Sequence, residues 1–329
     1  MNTTPILLNK AAMRKYEDLE IPCEAVLASY VWIDGTGINL RAKDRTFDFV
    51  PKIVKDLPIW YFDGGNTDQA KDENSDTYIF PQVIYHDPFR RGSNILVLTD
   101  TYSFNYQPTD GRPLGWPPGG FPAPPGPYYC AIGANKIVAR ELMEAFYRCC
   151  LYAGVQINGV YPGSTPSQWN FQVGPSPGIK SADDLWMARY ILARLAEEYG
   201  TVANFEPQPI TDWPGNGTFV YFSSKDMRED DGILVIERAI DKMARRHGAH
   251  INEYDANNGG DNVRRLNGKN GMPHVRDFTA GVANRSCSVR IPRHVSEDKK
   301  GYFEDRRPAA NADPYRIITI LLKTCIFDE

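Results

Sequence analysis

After a short helical stretch the pattern is strand-like from residue 23 to about 106, and apolar positions recur with a period near 3.6 beyond about residue 134, so the chain changes character on patterning alone. Residues 25–33 form a run of β-formers that closes on Asp34-Gly35-Thr36-Gly37, a good turn, and 79–85 and 94–98 predict further strands. Ahead of them Leu8, Ala12 and Tyr16 sit at helical spacing. That predicts a short N-terminal helix with an arm over 1–22, followed by a small β-rich domain over 23–106. In the second part, 135–152 predicts a helix with Ile137, Leu142, Phe146 and Cys149 near one face and Gly154 as its stop. Residues 181–199 predict another, with Ser181 as N-cap, Asp184 at the third position and Gly200 at the end. Its apolar stripe is Leu185, Ala188, Leu192, Leu195 and Tyr199. A third helix is expected over 232–249, with Ile236, Ile240 and Met243 inward. Between the two parts a Pro/Gly tract at 115–127 carries Trp116 and Phe121 and leads into Tyr128-Tyr129, which predicts an ordered loop rather than a flexible linker. Helices mixed with short strands make 107–329 an α+β domain.

Composition narrows the class. With 329 residues, 42% hydrophobic and 24% charged, the chain can bury a large core in one or two domains. A net charge of −4 and a pI near 5.8 argue against nucleic acid or a membrane surface as partner. No stretch approaches the roughly 20 apolar residues of a membrane span. The mixed-charge start does not read as a signal peptide. Six cysteines (Cys23, Cys130, Cys149, Cys150, Cys287, Cys325) show no C-x-x-C spacing and read as free thiols in a reducing, cytoplasmic compartment.

The string Gln168-Trp169-Asn170-Phe171-Gln172-Val173-Gly174-Pro175 resembles a signature of the eukaryotic glutamine synthetases. So do Trp32-Ile33-Asp34-Gly35-Thr36-Gly37, Phe62-Asp63-Gly64, Asn74-Ser75-Asp76 and Asp87-Pro88-Phe89-Arg90 in the N-terminal half. In the C-terminal half Gly126-Pro127-Tyr128-Tyr129-Cys130, Gly281-Val282-Ala283-Asn284-Arg285-Ser286, Arg290-Ile291-Pro292-Arg293 and Gly301-Tyr302-Phe303-Glu304-Asp305-Arg306-Arg307-Pro308 match as well. The resemblance is nearly chain-wide. It implies a β-grasp-like N-terminal domain and a glutamine-synthetase-type catalytic domain, assembled as a homo-oligomer of stacked rings. Each active site in that family lies between one subunit's catalytic domain and its neighbour's N-terminal domain. The reaction joins ammonia to glutamate through γ-glutamyl phosphate, using ATP and Mg²⁺ or Mn²⁺.

That chemistry gathers several negative charges and needs divalent cations held in a carboxylate cage. Placed residue by residue, the resemblance leaves most of the cage unfilled. Two of the family's glutamates lie in a helix-plus-strand unit of roughly 30 residues. That unit has no counterpart between Pro108 and Thr109, which implies an internal deletion there. A third glutamate falls at Gly163, the fourth at Asn170, and the histidine at Phe219. The glutamate of the closing loop falls at Gly271. Glu304 is the sole retained metal ligand.

The resemblance implies nucleotide, phosphate and glutamate contacts for Arg285, Arg290 and Arg306, alongside Tyr302, Phe303 and Glu304, with Arg306 and Asp63 as vestigial catalytic residues. Asp63 matches an aspartate that helps deprotonate ammonium across the subunit interface, although Gly65 and Asn66 replace two serines beside it. Salt bridges from these arginines to Glu304, Asp305 and Asp277 are the structural alternative to anion binding. His247 and His250 read as cations at a helix C-terminus rather than a metal pair. The run 255–261 reads as a turn rather than a calcium loop. The expectation is an inactive homologue, a pseudoenzyme with a scaffold, assembly or ligand-binding role, able to co-assemble with an active paralogue. The alternative is an active ATP-dependent glutamate–ammonia ligase whose cage is rebuilt from carboxylates such as Asp110, Asp212 or Asp226.

Overall fold

The computed structural model describes residues 25–67, 69–70, 76–101, 122, 124–211 and 213–329. The expected N-terminal helix, the junction at 108–109, most of the Pro/Gly tract, Asp110 and Asp212 lie outside the described residues. The chain divides into two compact units, Met1–Ala203 and Asn204–Glu329, and mixes sheets with helices in an α+β fold.

In the first unit β1 (Val26–Ile33), β2 (Leu40–Phe47), β3 (Trp60–Asp63), β4 (Asp76–His86) and β5 (Ile95–Asp100) form one sheet in the order β2-β1-β5-β4-β3. β1 and β5 run parallel and the other neighbours antiparallel. β1 is buried along most of its length, as an interior strand covered on both faces must be. At its end Asp34 accepts from Thr36 N–H at 3.0 Å and pairs with Arg41 at 2.9 Å, which fixes the expected turn. Trp32 packs on Phe62 with ring centroids 4.3 Å apart, in a core that also holds Tyr30, Phe47 and Ile79.

The same unit continues with α1 (Arg140–Ala153), a hairpin of β6 (Ile157–Pro162) and β7 (Trp169–Val173), and α2 (Lys180–Glu198). Three expectations need correction here. α1 starts at Arg140 rather than 135, because Ala139 at φ 65° cannot continue a helix backwards. Cys150, not Cys149, is its fully buried cysteine. Ser181 lies inside α2, and its third-position partner Asp184 is a buried node instead. Asp184 receives Lys180 at 2.9 Å, the Tyr85 hydroxyl at 3.3 Å and Gln156 N–H at 3.2 Å, so one carboxylate ties β4 to α2.

The second unit holds β8 (Val220–Phe222), α3 (Gly232–Arg245), α4 (His247–Glu253), α5 (Gly260–Arg265), β9 (Ala280–Val282), β10 (Val289–Ile291), β11 (Phe303–Asp305) and α6 (Pro314–Leu322). Its sheet runs β8-β11-β10-β9, backed on one face by Ile236, Ile240 and Met243 of α3 and Ile317 and Leu321 of α6. The third expected helix is broken: Arg246, at φ −108° and ψ 18°, separates α3 from α4. The run 255–261 is a turn, with Asp255 accepting the backbone N–H groups of Asn257, Gly259 and Asn262.

The break places His247 and His250 inside the unit, where neither acts as an exposed helix-end cation. His250 is fully buried, with Nδ1 2.6 Å from the Tyr254 hydroxyl and Nε2 2.9 Å from Thr324 Oγ1. Tyr254 in turn donates to Asp305 at 2.6 Å. Burial, and then the Arg307 charge, pull the His250 imidazole down from 6.5 to about 3. The folded chain therefore holds this residue neutral while the unfolded chain protonates it below about 6.5. Its contribution to stability is complete above that pH and is lost progressively as pH falls toward 3. Chemical denaturation should give about 2 kcal/mol less stability at pH 5 than at pH 7 from this group. The pH 5–7 slope should flatten in His250→Gln. An unchanged slope in that variant would contradict the assignment.

Candidate active site

The register of the short sheet in the second unit sorts side chains by face. Glu304 lies opposite Tyr221 on β8 and Arg290 on β10, and Arg290 lies opposite Gly281 on β9. This row occupies one face. The alternate positions, Phe222, Phe303, Val289 and Ile291, belong to the helix-backed core on the other. Phe303 is thus fully buried away from the row, and its side chain does not contribute to the face on which a ligand contact was expected. Tyr302 keeps to the row's parity, with its ring 5.6 Å from Tyr221 and 5.6 Å from His294.

Period-two geometry also explains Glu304-Asp305-Arg306-Arg307. Each acid meets the arginine two residues on. Glu304 pairs with Arg306 at 2.6 Å on the row's face, and Asp305 pairs with Arg307 at 2.8 Å on the core side. Asp305 and Arg307 are wholly buried. Burial alone would raise the Asp305 carboxyl, but Arg307 outweighs it and holds the group below the usual carboxylate range. Arg307 Nη1 also reaches His247 Nδ1 at 3.0 Å.

Glu304 is only 2% exposed, and its two oxygens are divided between two cations: Oε2 takes Arg290 Nη1 at 2.7 Å and Oε1 takes Arg306 Nη1 at 2.6 Å. The Arg306 guanidinium lies over the Phe219 ring, 4.3 Å from its centroid. Nearby, Arg265 is wholly buried and donates to neutral acceptors, including Asn262 Oδ1 at 3.0 Å and Arg306 O at 3.3 Å. Burial and the Arg306 charge bring it down to about 9.

In the first unit, the β6–β7 hairpin carries Gly163 and Asn170. Tyr161 pairs with Asn170, and Gly163 N–H donates to Gln168 O at 2.7 Å. Residues 161, 163, 168 and 170 therefore share one face, whereas Trp169 and Phe171 face α1: the Trp169 indole N–H donates to Val138 O at 2.9 Å, and Phe171 stacks edge-on to Phe146 at 5.1 Å. Gly163 is not a vacant position. A Cβ there would stand 2.5 Å from Gln168 Oε1, whose carbonyl accepts Ser164 N–H at 3.1 Å and the Thr165 hydroxyl at 3.2 Å.

The remaining expected residues are placed separately. Gly271 sits at φ +73° in a loop closed by the Asn267–His274 bridge, a conformation that L side chains rarely adopt. Asp63 is exposed at the end of β3 and accepts Gly65 N–H at 3.0 Å. Arg285 is exposed beyond β9, and Asp226 is exposed in the short helix Lys225–Arg228. Within either unit, among the described residues, no three His, Cys, Asp or Glu side chains gather as a metal cage. Phe219 beneath Arg306 and the buried Arg265 carry no signal in sequence spacing, because their contacts reach distant segments; Gln168 against Gly163 is a contact within the hairpin loop that sequence reasoning missed.

A family model described as glutamine synthetase, catalytic domain, matches residues 122–239. The chain is 49% identical over 356 positions to glutamine synthetase 2 cytoplasmic of Drosophila melanogaster, covering 98% of this chain and 96% of that one. It is 46% identical to the glutamine synthetases of Mus musculus and Homo sapiens, in each case over 98% of this chain and 95% of the relative. An alignment of 356 positions against a chain of 329 residues leaves at least 27 positions facing a gap in this chain. No helix among the described residues is long and apolar enough to cross a membrane.

Filling the Gly163 position should displace Gln168. Gly163→Ala is expected to cost about 1–2 kcal/mol in urea denaturation through the lost Gln168 hydrogen bonds. The double variant Gly163→Ala/Gln168→Ala should cost less than the sum of the singles. Strict additivity would show that the two positions do not share space.

Proposed function

This chain belongs to the glutamine synthetase family, and on that premise we propose that it is a catalytically silent member with an assembly or scaffold role. The single observation that carries the reading is the state of Glu304, buried and shared between Arg290 and Arg306. The family's reaction uses ATP and a divalent cation, and the donors present here do not fit that cation. Gly163 and Phe219 offer no side-chain oxygen or nitrogen, Asn170 offers no charge, and Glu304 is already neutralised twice over. A dication brought up to this carboxylate would be attracted by one charge and repelled by the two guanidiniums paired with it. A carboxylate partner is worth far more to a cation when no guanidinium competes for it.

What this chain's own residues do on that face is hold one another. Arg290 and Arg306 each pair with one oxygen of the buried Glu304 carboxylate, and the Arg306 guanidinium lies over the Phe219 ring. The two arginines are the kind of group that neutralises phosphate charge, but here both are engaged with Glu304, and the set offers no carboxylate cage for the divalent cations that phosphoryl transfer needs. The gapped alignment supports the same reading, since it agrees with the loss of the helix-plus-strand unit placed at 108–109, which would have carried two more glutamates. In this proposal the chain is cytoplasmic and homo-oligomeric or co-assembled with an active paralogue, to which its β-grasp-like 23–106 portion would present Asp63.

Purified protein given ATP, Mg²⁺, glutamate and ammonium should release phosphate no faster with glutamate than without it. Robust glutamate-dependent release that Glu304→Gln abolishes would sink the silent reading and restore the ligase. For the assembly role, native mass spectrometry of a mixture with an active synthetase should give hetero-oligomers. A monomer indifferent to that partner would remove the scaffold role.

A further inference from the structure

We propose that Met272 is a reversible oxidation site: a hydroperoxide converts its thioether to a sulfoxide, whose oxygen accepts a hydrogen bond from the buried Arg265 and so fastens the loop 267–274. An oxidant must reach the sulfur, and burial decides which sulfurs it reaches. Among the described residues, Met143, Met187, Met227 and Met243 are at most 2% exposed. Met272 is half-buried instead, on a loop whose preceding residues Asn270 and Gly271 are exposed. The fold therefore singles out one thioether.

That sulfur has a cation behind it. Arg265 is wholly buried and all its named acceptors are neutral. Nε donates to Asn262 Oδ1 at 3.0 Å, Nη2 to the carbonyls of Arg306 and Arg307, and Nη1 to Met272 Sδ at 3.8 Å. Brought down to about 9, the guanidinium still keeps its proton at neutral pH. A thioether is the weakest acceptor of this set. A sulfoxide carries the negative end of a strong dipole on its oxygen, which suits a buried cation far better. The 3.8 Å from sulfur to nitrogen exceeds an N–H···O bond of about 2.9 Å. An oxygen on the sulfur, set to one side of that line, therefore stands within reach of Nη1. The loop is otherwise closed on itself: Met272 N–H donates to Lys269 O at 2.9 Å, and Asn267 bridges His274. Oxidation strengthens its tie to the body of the unit.

In the modification the sulfur lone pair attacks one oxygen of hydrogen peroxide, and the S–O bond forms as the O–O bond breaks. The departing hydroxide takes the proton left on the transferred oxygen and leaves as water. Sulfur is oxidised by two electrons and the peroxide is reduced by the same two. A methionine sulfoxide reductase, with a thiol pair as reductant, returns the thioether.

The full chain would be treated with hydrogen peroxide and sampled over time by peptide mass spectrometry, with amide hydrogen exchange followed on the same peptides. Met272 should gain oxygen roughly tenfold or more ahead of Met143, Met187, Met227 and Met243. Exchange within 267–274 should slow several-fold on oxidation, and methionine sulfoxide reductase with dithiothreitol should restore the original rate. Met272→Leu keeps the bulk, removes the sulfur and should abolish the exchange change. Oxidation of the buried methionines at a similar rate, or none at Met272, would overturn the site. A Met272 sulfoxide that leaves loop exchange unchanged or speeds it would overturn the contact with Arg265, and with it the switch.

Discussion

A carboxylate withdrawn from water must be neutralised where it lies, and the second unit is organised around two that are adjacent in the chain. Glu304 and Asp305 point to opposite faces of β11, and each takes the arginine two residues further on. The core-side pair, Asp305 with Arg307, draws in Tyr254, His250 and His247 and so fixes α4 against the sheet. The other pair is completed by Arg290 and backed by Phe219. One four-residue sequence thereby supplies an anchor for the core and an ion-pair cluster on the other face.

The hairpin of the first unit follows the same logic with neutral groups. Its register still sets 163 and 170 on one face, as a pair of ligands would require, but Gln168 occupies the space at Gly163 and is held there by Ser164 and Thr165. At Gly271 the backbone lies in a region where a glutamate would be strained.

The family and the fold class were legible in the sequence because turn chemistry and ordered motifs are local properties: Asp34 with Thr36, the Trp169–Phe171 signature and Gly154 all do what their residue types suggest. That positions 163, 170 and 219 carry neither an acid nor an imidazole was legible for the same reason. What spacing could not convey was contact between distant segments. That Phe219 lies beneath Arg306 depends on β8 meeting β11, and that His250 is neutral depends on its burial and then on the charge of Arg307, 57 residues away. Boundaries failed at Ala139, whose φ is positive, and at Arg246, whose ψ leaves the helical range, where tertiary packing overrides helical propensity. Salt bridging of the arginines to local acids was one of two readings left open, and Arg290 and Arg306 adopt it through Glu304.

The central claim is that the residues around Glu304 do not hold a divalent cation. Anomalous diffraction from crystals grown in Mn²⁺ tests it directly. The account predicts that the Glu304 carboxylate carries no manganese peak within coordination distance and remains bonded to Arg290 and Arg306. A manganese ion on Glu304, with either arginine swung away, would contradict it.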